Sequence, residues 1–159
     1  PAGTGKSHVA KEGIKNIDNY VRIAPTNKAA LNINGTTIHK FLTMDIEMKL
    51  RKSFVQKIRK QKLKYIIVDE ISMINKSMWN KLQLLKKSIP ELIFILVGDY
   101  RQCKPIEDDN TKPMKYFDHP VVKYLTNNNR VVLEKIQRYD NKLADLLENV
   151  DDINTKEFP

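Results

Sequence analysis

Near the start of the chain, Gly3-Thr4-Gly5-Lys6-Ser7 has the spacing of the closing half of a phosphate loop, G-x-x-x-x-G-K-[ST], whose first glycine would precede Pro1. Each residue type has a reason to be there. Glycines let backbone N–H groups curl around phosphates, and the following helix adds the positive end of its dipole. Lys6 reaches the β and γ phosphates, and Ser7 offers a hydroxyl to Mg2+. At average residue usage such a pattern arises by chance on the order of 10^-5 per position, so a glycine-rich turn is the weaker reading. Further along, Ile66-Ile67-Val68-Asp69-Glu70 is an apolar run that ends in two adjacent carboxylates. Alone, such a pair also suits a solvated turn. Downstream of a phosphate loop, Asp69 is expected to hold Mg2+ through its water shell and Glu70 to polarise an attacking water. A third run, Leu96-Val97-Gly98-Asp99-Tyr100-Arg101-Gln102, ends in polar groups, and Gln102 is suited to hydrogen-bond a γ phosphate or that water.

Elements must exist to bring these groups together. With 159 residues, 41% hydrophobic and 30% charged, the chain is the size of one domain with a core of its own. Its longest apolar runs, Tyr65 to Val68 and Leu92 to Val97, are far short of the roughly 20 residues that cross a bilayer. The single cysteine, Cys103, removes any internal disulfide and argues for an intracellular, non-secreted protein. Val9, Ala10, Gly13, Ile14 and Ile17 recur at helical spacing, and Tyr20 to Ala24 reads as a strand closed by Pro25. Asn27 to Ile33 reads as a helix broken by Asn34-Gly35, after which Thr36 to Leu42 resumes apolar spacing. Tyr65 to Val68 and Leu92 to Val97 suit strands buried on both faces, separated by a helix marked by Met78, Leu82 and Leu85 and ended by Pro90. Trp79 on that helix is expected in the core. Val131 to Leu133 is expected to form one more strand and Lys142 to Val150 a last helix, with a turn at Asn127-Asn128-Asn129. Strands alternating with helices in this way imply an α/β fold with a parallel sheet, with ligands at the carboxyl ends of the strands.

Charge adds a partner class. Lys and Arg total 28 against 19 Asp and Glu, a formal +9, which makes nucleic acid the first partner to test, although solubility or AT-rich coding accounts for part of such a bias. From Lys49 to Lys64 there are eight basic residues and no acid, interleaved with Leu50, Phe54, Val55, Ile58 and Leu63. That stretch reads as an amphipathic helix with a basic face.

The ordered set Pro1 to Ser7, Ala24-Pro25-Thr26-Asn27-Lys28-Ala29-Ala30, Thr37-Ile38-His39-Lys40-Phe41-Leu42, Asp69-Glu70-Ile71-Ser72-Met73 and Gly98-Asp99-Tyr100-Arg101-Gln102 resembles the first motor domain of superfamily 1 DNA helicases. The nearest branch is the RecD-like one that contains the petite-integration-frequency (PIF-type) helicases, and Gln137-Arg138-Tyr139 sits where that family carries its fourth motif. The resemblance implies a RecA-like P-loop NTPase domain, a parallel sheet flanked by helices, over residues 1–159, truncated at both ends and lacking the second motor domain of the same chain. It implies ATP and Mg2+ as cofactors, with Gly3, Thr4, Gly5, Lys6 and Ser7 on the nucleotide and Ser7 and Asp69 on the metal. Glu70 becomes the catalytic base, and Gln102 and Arg138 sense the γ phosphate. Pro25, Thr26, Lys28, Thr37 and His39 are expected along single-stranded DNA, with duplex junctions as further partners and 5' to 3' as the usual polarity. Asn27 departs from the family's usual glycine, and Cys103-Lys104 from the apolar-proline pair that follows Gln102. The function implied is ATP-driven translocation on single-stranded DNA with duplex unwinding. The rival readings are a P-loop ATPase switch and a basic DNA-binding module without unwinding.

Overall fold

A computed structural model describes residues 5–42, 51–99 and 119–133, with only the backbone of Ser7, Ala10 and Lys11. In chain order the elements are α1 (Lys6–Gly13), β1 (Tyr20–Ala24), α2 (Asn27–Asn32), β2 (Thr36–Thr37), α3 (Ile38–Leu42), α4 (Lys52–Lys60), β3 (Tyr65–Val68), a 3-10 turn (Ile71–Met73), α5 (Lys76–Ser88), β4 (Ile93–Leu96) and α6 (Pro120–Leu125). The four strands form one sheet in the order β2-β1-β3-β4, and every pairing is parallel. From β1 the chain steps outward to β2, then returns across β1 to β3. That reversal opens a crevice outside the carboxyl ends of β1 and β3, where open α/β sheets take ligands.

The sheet is built from its most apolar strands. Ile66, Ile67 and Val68 are buried, because a parallel strand between helices has no wet face. Ile66 and Val68 share one core cluster with Met78, Trp79, Leu82 and Leu85 of α5, a stripe at helical spacing. Asn75 caps α5 by accepting from the Met78 N–H at 2.9 Å. The helix stops at Ser88, two residues before Pro90, and buried Lys86 fastens the turn into β4 by donating to the carbonyls of Pro90 (2.8 Å) and Leu92 (2.6 Å). Phe54 and Ile58 seat α4 on the same core, leaving its lysines in solvent. Gly35 is required between α2 and β2, since a Cβ there would collide with the backbone carbonyl of Arg22 on β1.

Three expectations change. Thr36 and Thr37 leave the helical spacing to pair with Ile23 and Ala24 as a two-residue strand. Val131 to Leu133 is not a strand: Val131 is 86% and Val132 52% exposed, and strand-like residues that pair with no strand among the described residues gain nothing from extension. The helix α6 was not anticipated. It starts with Pro120 at its first turn and His119 Nδ1 accepting from the Val121 N–H at 3.2 Å, and it packs Val121 and Leu125 into the core beside α5. The turn at Asn127 and Asn128 is present, both at positive φ, whereas the helix expected over 142–150 lies outside the described residues. Among the described residues no helix is long and apolar enough to cross a membrane.

Candidate functional site

All the described groups singled out for chemistry sit at the carboxyl edge of the sheet. Gly5 takes φ 81°, a left-handed turn that glycine adopts without strain, and its carbonyl accepts from the Val9 N–H at 2.8 Å to open α1. Lys6 is the first residue of that helix, and its Nζ lies 3.8 Å from Asp99 Oδ2 at the end of β4. Asp69 ends β3. Its backbone N–H bonds the Ile23 carbonyl at 3.0 Å, so the neighbouring strand fixes its position, and its Oδ1 accepts from the Glu70 N–H at 3.0 Å.

Glu70 leaves the strand at φ 53° and ψ 48°, a left-handed conformation that costs a non-glycine residue about 1–2 kcal/mol. The following residue holds it there: the Ile71 N–H bonds the Val97 carbonyl at 3.1 Å. Ile71 also lies so close to Gly98 that a Cβ on Gly98 would come within 2.6 Å of Ile71 Cγ1. The loops after β3 and β4 are therefore locked face to face, which fixes the backbone turn at Glu70. Strain held by surrounding structure in this way is a recurrent mark of functional positions.

The electrostatics follow from the crowding. Asp69 and Asp99 are 7% and 5% exposed, and Glu70 is half-buried beside them. Burial first, then the Asp69 carboxylate, push the Glu70 carboxyl above its ordinary value of 4.5, with Asp99 adding to the rise and Lys6 opposing it. A carboxyl raised in this way is a better proton acceptor when ionised. Among the described residues no three His, Cys, Asp or Glu side chains converge closely enough to hold a metal by themselves. That donor set fits Mg2+ in the manner usual at phosphate sites, where one or two carboxylates share the ion with waters and phosphate oxygens.

The other half of the same edge is built from caps. Thr26 ends β1 and accepts from the Ala29 N–H at 3.2 Å, starting α2. Thr37, paired alongside Ala24, accepts from the Lys40 N–H at 3.2 Å, starting α3. Both hydroxyls keep their own O–H to donate. Pro25 is buried, whereas Lys28 and His39 are exposed.

The structure thus gathers Gly5, Lys6, Asp69 and Glu70 on one side of the crevice and Pro25, Thr26, Lys28, Thr37 and His39 on the other. Gly3, Thr4, Gln102 and Arg138 lie outside the described residues, as does the side chain of Ser7. Asp99 was not among the expected site residues. Its position at the end of an apolar run, equivalent to that of Asp69, was the available signal. Ser72 is a second addition: it is 2% exposed, just after the acids, and its hydroxyl has no hydrogen-bond partner among the described residues.

The AAA domain family matches residues 1–107. The chain belongs to that family. Within it, the AAA domain described here is 31% identical to the ATP-dependent DNA helicase PIF1 of Saccharomyces cerevisiae, over 99% of this chain and 22% of the relative. It is 35% identical to the RecBCD enzyme subunit RecD of Buchnera aphidicola, over 67% of this chain and 17% of the relative. The crystal structure of Bacteroides Pif1 bound to single-stranded DNA superposes with a TM-score of 0.72 at 25% identity, covering 94% of this chain and 40% of that one. The RecA-like architecture and the likeness to the PIF-type and RecD-like branch, both expected from the motifs, are borne out. The chain spans about a fifth of the length of these curated relatives.

Proposed function

We propose that this AAA domain is the first motor domain of an intracellular ATP-dependent DNA helicase of the PIF type, which hydrolyses ATP with Mg2+ to step along single-stranded DNA and open duplex junctions. The observation that carries the reading is the crowding of Lys6, Asp69, Glu70 and Asp99 at one wall of the switch-point crevice. Lys6 supplies positive charge to the β and γ phosphates, and Gly5 and the start of α1 supply backbone N–H groups. Mg2+ bound between the phosphates, Ser7 and Asp69 would neutralise charge on the transferred group. Glu70 takes the proton from the attacking water, while Gln102 and Arg138 contact the γ phosphate. On the opposite wall Thr26 and Thr37 donate their hydroxyl protons to DNA phosphates, and Lys28 and His39 add solvated contacts. Support comes from the PIF-type relative, named as ATP-dependent, and from the single strand bound by its structural neighbour.

One domain provides one grip and one side of the nucleotide cleft. Stepping needs two gripping bodies whose separation changes with nucleotide state, and arginines from a facing domain are worth several orders of magnitude in related phosphoryl transfer. Strand separation on a partial duplex with a 5' single-stranded tail tests the proposal. The full-length protein is expected to unwind it with ATP and Mg2+, and residues 1–159 alone are not. Unwinding by residues 1–159 alone overturns the two-domain reading, and inactivity of both favours an ATPase switch or a DNA-binding module.

A further inference from the structure

A strongly basic surface among the described residues takes no part in the site above. Helix α4 ends at Lys60, and four residues later the chain enters β3, so the last turn of α4 sits at the amino edge of the sheet. Three contacts fix it there. Arg59 donates to the Ser88 carbonyl at 3.0 Å, the Lys64 N–H bonds the Asn19 carbonyl at 2.8 Å, and the Ile93 N–H bonds the Lys64 carbonyl at 2.9 Å. Asp69, at the other end of β3, is about 16 Å away along the strand. The basic turn and the candidate ATP site therefore lie on opposite edges.

Lys52, Lys57, Lys60 and Lys62 are all exposed and form no ion pair with any described residue. No acid occurs between Lys49 and Lys64. Beside the turn lies an open recess of about 500 Å³ lined by Arg59, Lys62, Leu63, Lys64, Ile89 and Glu91, in which three cations face a single carboxylate. Holding these charges together with a single carboxylate among them raises the potential at this corner, and a dense polyanion relieves it.

We propose that this corner is a second nucleic-acid surface that binds the backbone of duplex DNA, separate from the single-strand path at the carboxyl edge. Duplex is favoured over single strand by what the outward face of α4 lacks, since the rings at this corner, Tyr20 and Tyr65, belong to the sheet edge and Tyr65 is covered by Lys64. Single strands are held by bases stacked on exposed aromatic rings. The only aromatic residue of α4, Phe54, is buried edge-on against Phe41 with centroids 5.5 Å apart. The outward face of α4 carries Lys52, Ser53, Gln56, Lys57, Arg59 and Lys60, and no aromatic ring among them. From Lys52 to Lys60 the helix advances about 12 Å. Over that length a duplex presents one phosphate per roughly 1.7 Å, twice the density of a single strand. Lysines that read charge and nothing else bind the denser lattice.

The inference does not rest on ATP chemistry, and its test needs no nucleotide. In the full-length protein, anisotropy of a labelled blunt 20-base-pair duplex and of a labelled 20-residue oligo-dT is measured from 50 to 200 mM salt. Wild type is compared with the triple variant Lys57→Ala, Lys60→Ala, Lys62→Ala. The logarithmic salt slope for the duplex is expected to fall by about 0.9 per lysine, close to 3 in all, with oligo-dT binding unchanged. Glu91→Gln is expected to tighten duplex binding and leave oligo-dT alone. An unchanged duplex slope, an equal loss for both DNAs, or competition by polyglutamate as effective as that by duplex of equal charge overturns the assignment.

Discussion

The two halves of the carboxyl edge solve different problems with different kinds of side chain. At β3 and β4 the groups are charged and largely withdrawn from water: Asp69 and Asp99 are buried, Glu70 is strained and raised in pKa, and Lys6 leans on Asp99. At β1 and β2 the groups are neutral hydroxyls that serve as helix caps, flanked by an exposed lysine and an exposed histidine. Chemistry on a phosphate needs electrostatics that water cannot screen, so the first half spends stability to crowd like charges. On the function proposed above, the second half is a grip on DNA, and a grip that must release needs weaker, solvated contacts on a rigid frame. The caps supply that frame because the hydrogen bond that starts each helix also orients the hydroxyl.

Breaking the charged half should give the larger effects. Lys6→Ala in the full-length protein is expected to reduce ATP turnover to below a few per cent of wild type while thermal unfolding stays normal; retained turnover would dissociate the lysine from the phosphates. Glu70→Gln is expected to slow hydrolysis at least about a hundredfold with nucleotide binding retained, because it removes a proton acceptor and leaves the Asp69 carboxylate in place. Loss of nucleotide binding in that variant would make Glu70 a metal ligand. The same substitution carries a pH signature in stability. A carboxyl whose folded pKa is raised costs stability once ionised, and that cost disappears as pH falls through the folded pKa toward the ordinary value of 4.5. Without nucleotide and metal, Glu70→Gln is therefore expected to melt above wild type at neutral pH, and the two should converge in acid.

Smaller effects separate frame from grip. Gly98→Ala forces a methyl against Ile71 and is expected to cost about 1–3 kcal/mol in chemical denaturation, with hydrolysis reduced because the Glu70 turn shifts. Thr37→Val removes the Lys40 cap and the spare donor together. It is expected to cost about 1 kcal/mol of stability and to weaken oligo-dT binding about three- to tenfold, with DNA-free ATP turnover unchanged.

How much of this the sequence disclosed depended on whether the deciding contact was local. Strands β1 and β3 appear at their expected limits and β4 is one residue shorter at each end; β3 is the strand buried nearly throughout, whereas β1 carries Arg22 and β4, expected to be buried on both faces, leaves Ile93 37% exposed. Strand β2 was hidden because two threonines become a strand only through the backbone of β1. Val131 to Leu133 misled for the converse reason, since β-branched composition that pairs with no strand among the described residues does not make one. In the site, the motif residues were readable one by one, but the Lys6–Asp99 contact joins positions 93 apart, and the left-handed turn at a glutamate leaves no trace in residue type.

On the proposed function, the buried, charged half of the edge hydrolyses ATP under control of the hydroxyl-bearing half. Steady-state ATP turnover by the full-length protein against increasing oligo-dT, for wild type and for Thr26→Val with Thr37→Val, tests it most directly. DNA is expected to stimulate wild-type turnover, and the double variant is expected to keep its DNA-free and maximal rates while needing several times more DNA to reach half-maximal stimulation. Turnover indifferent to DNA, or a half-maximal concentration unmoved by losing both hydroxyls, would contradict it.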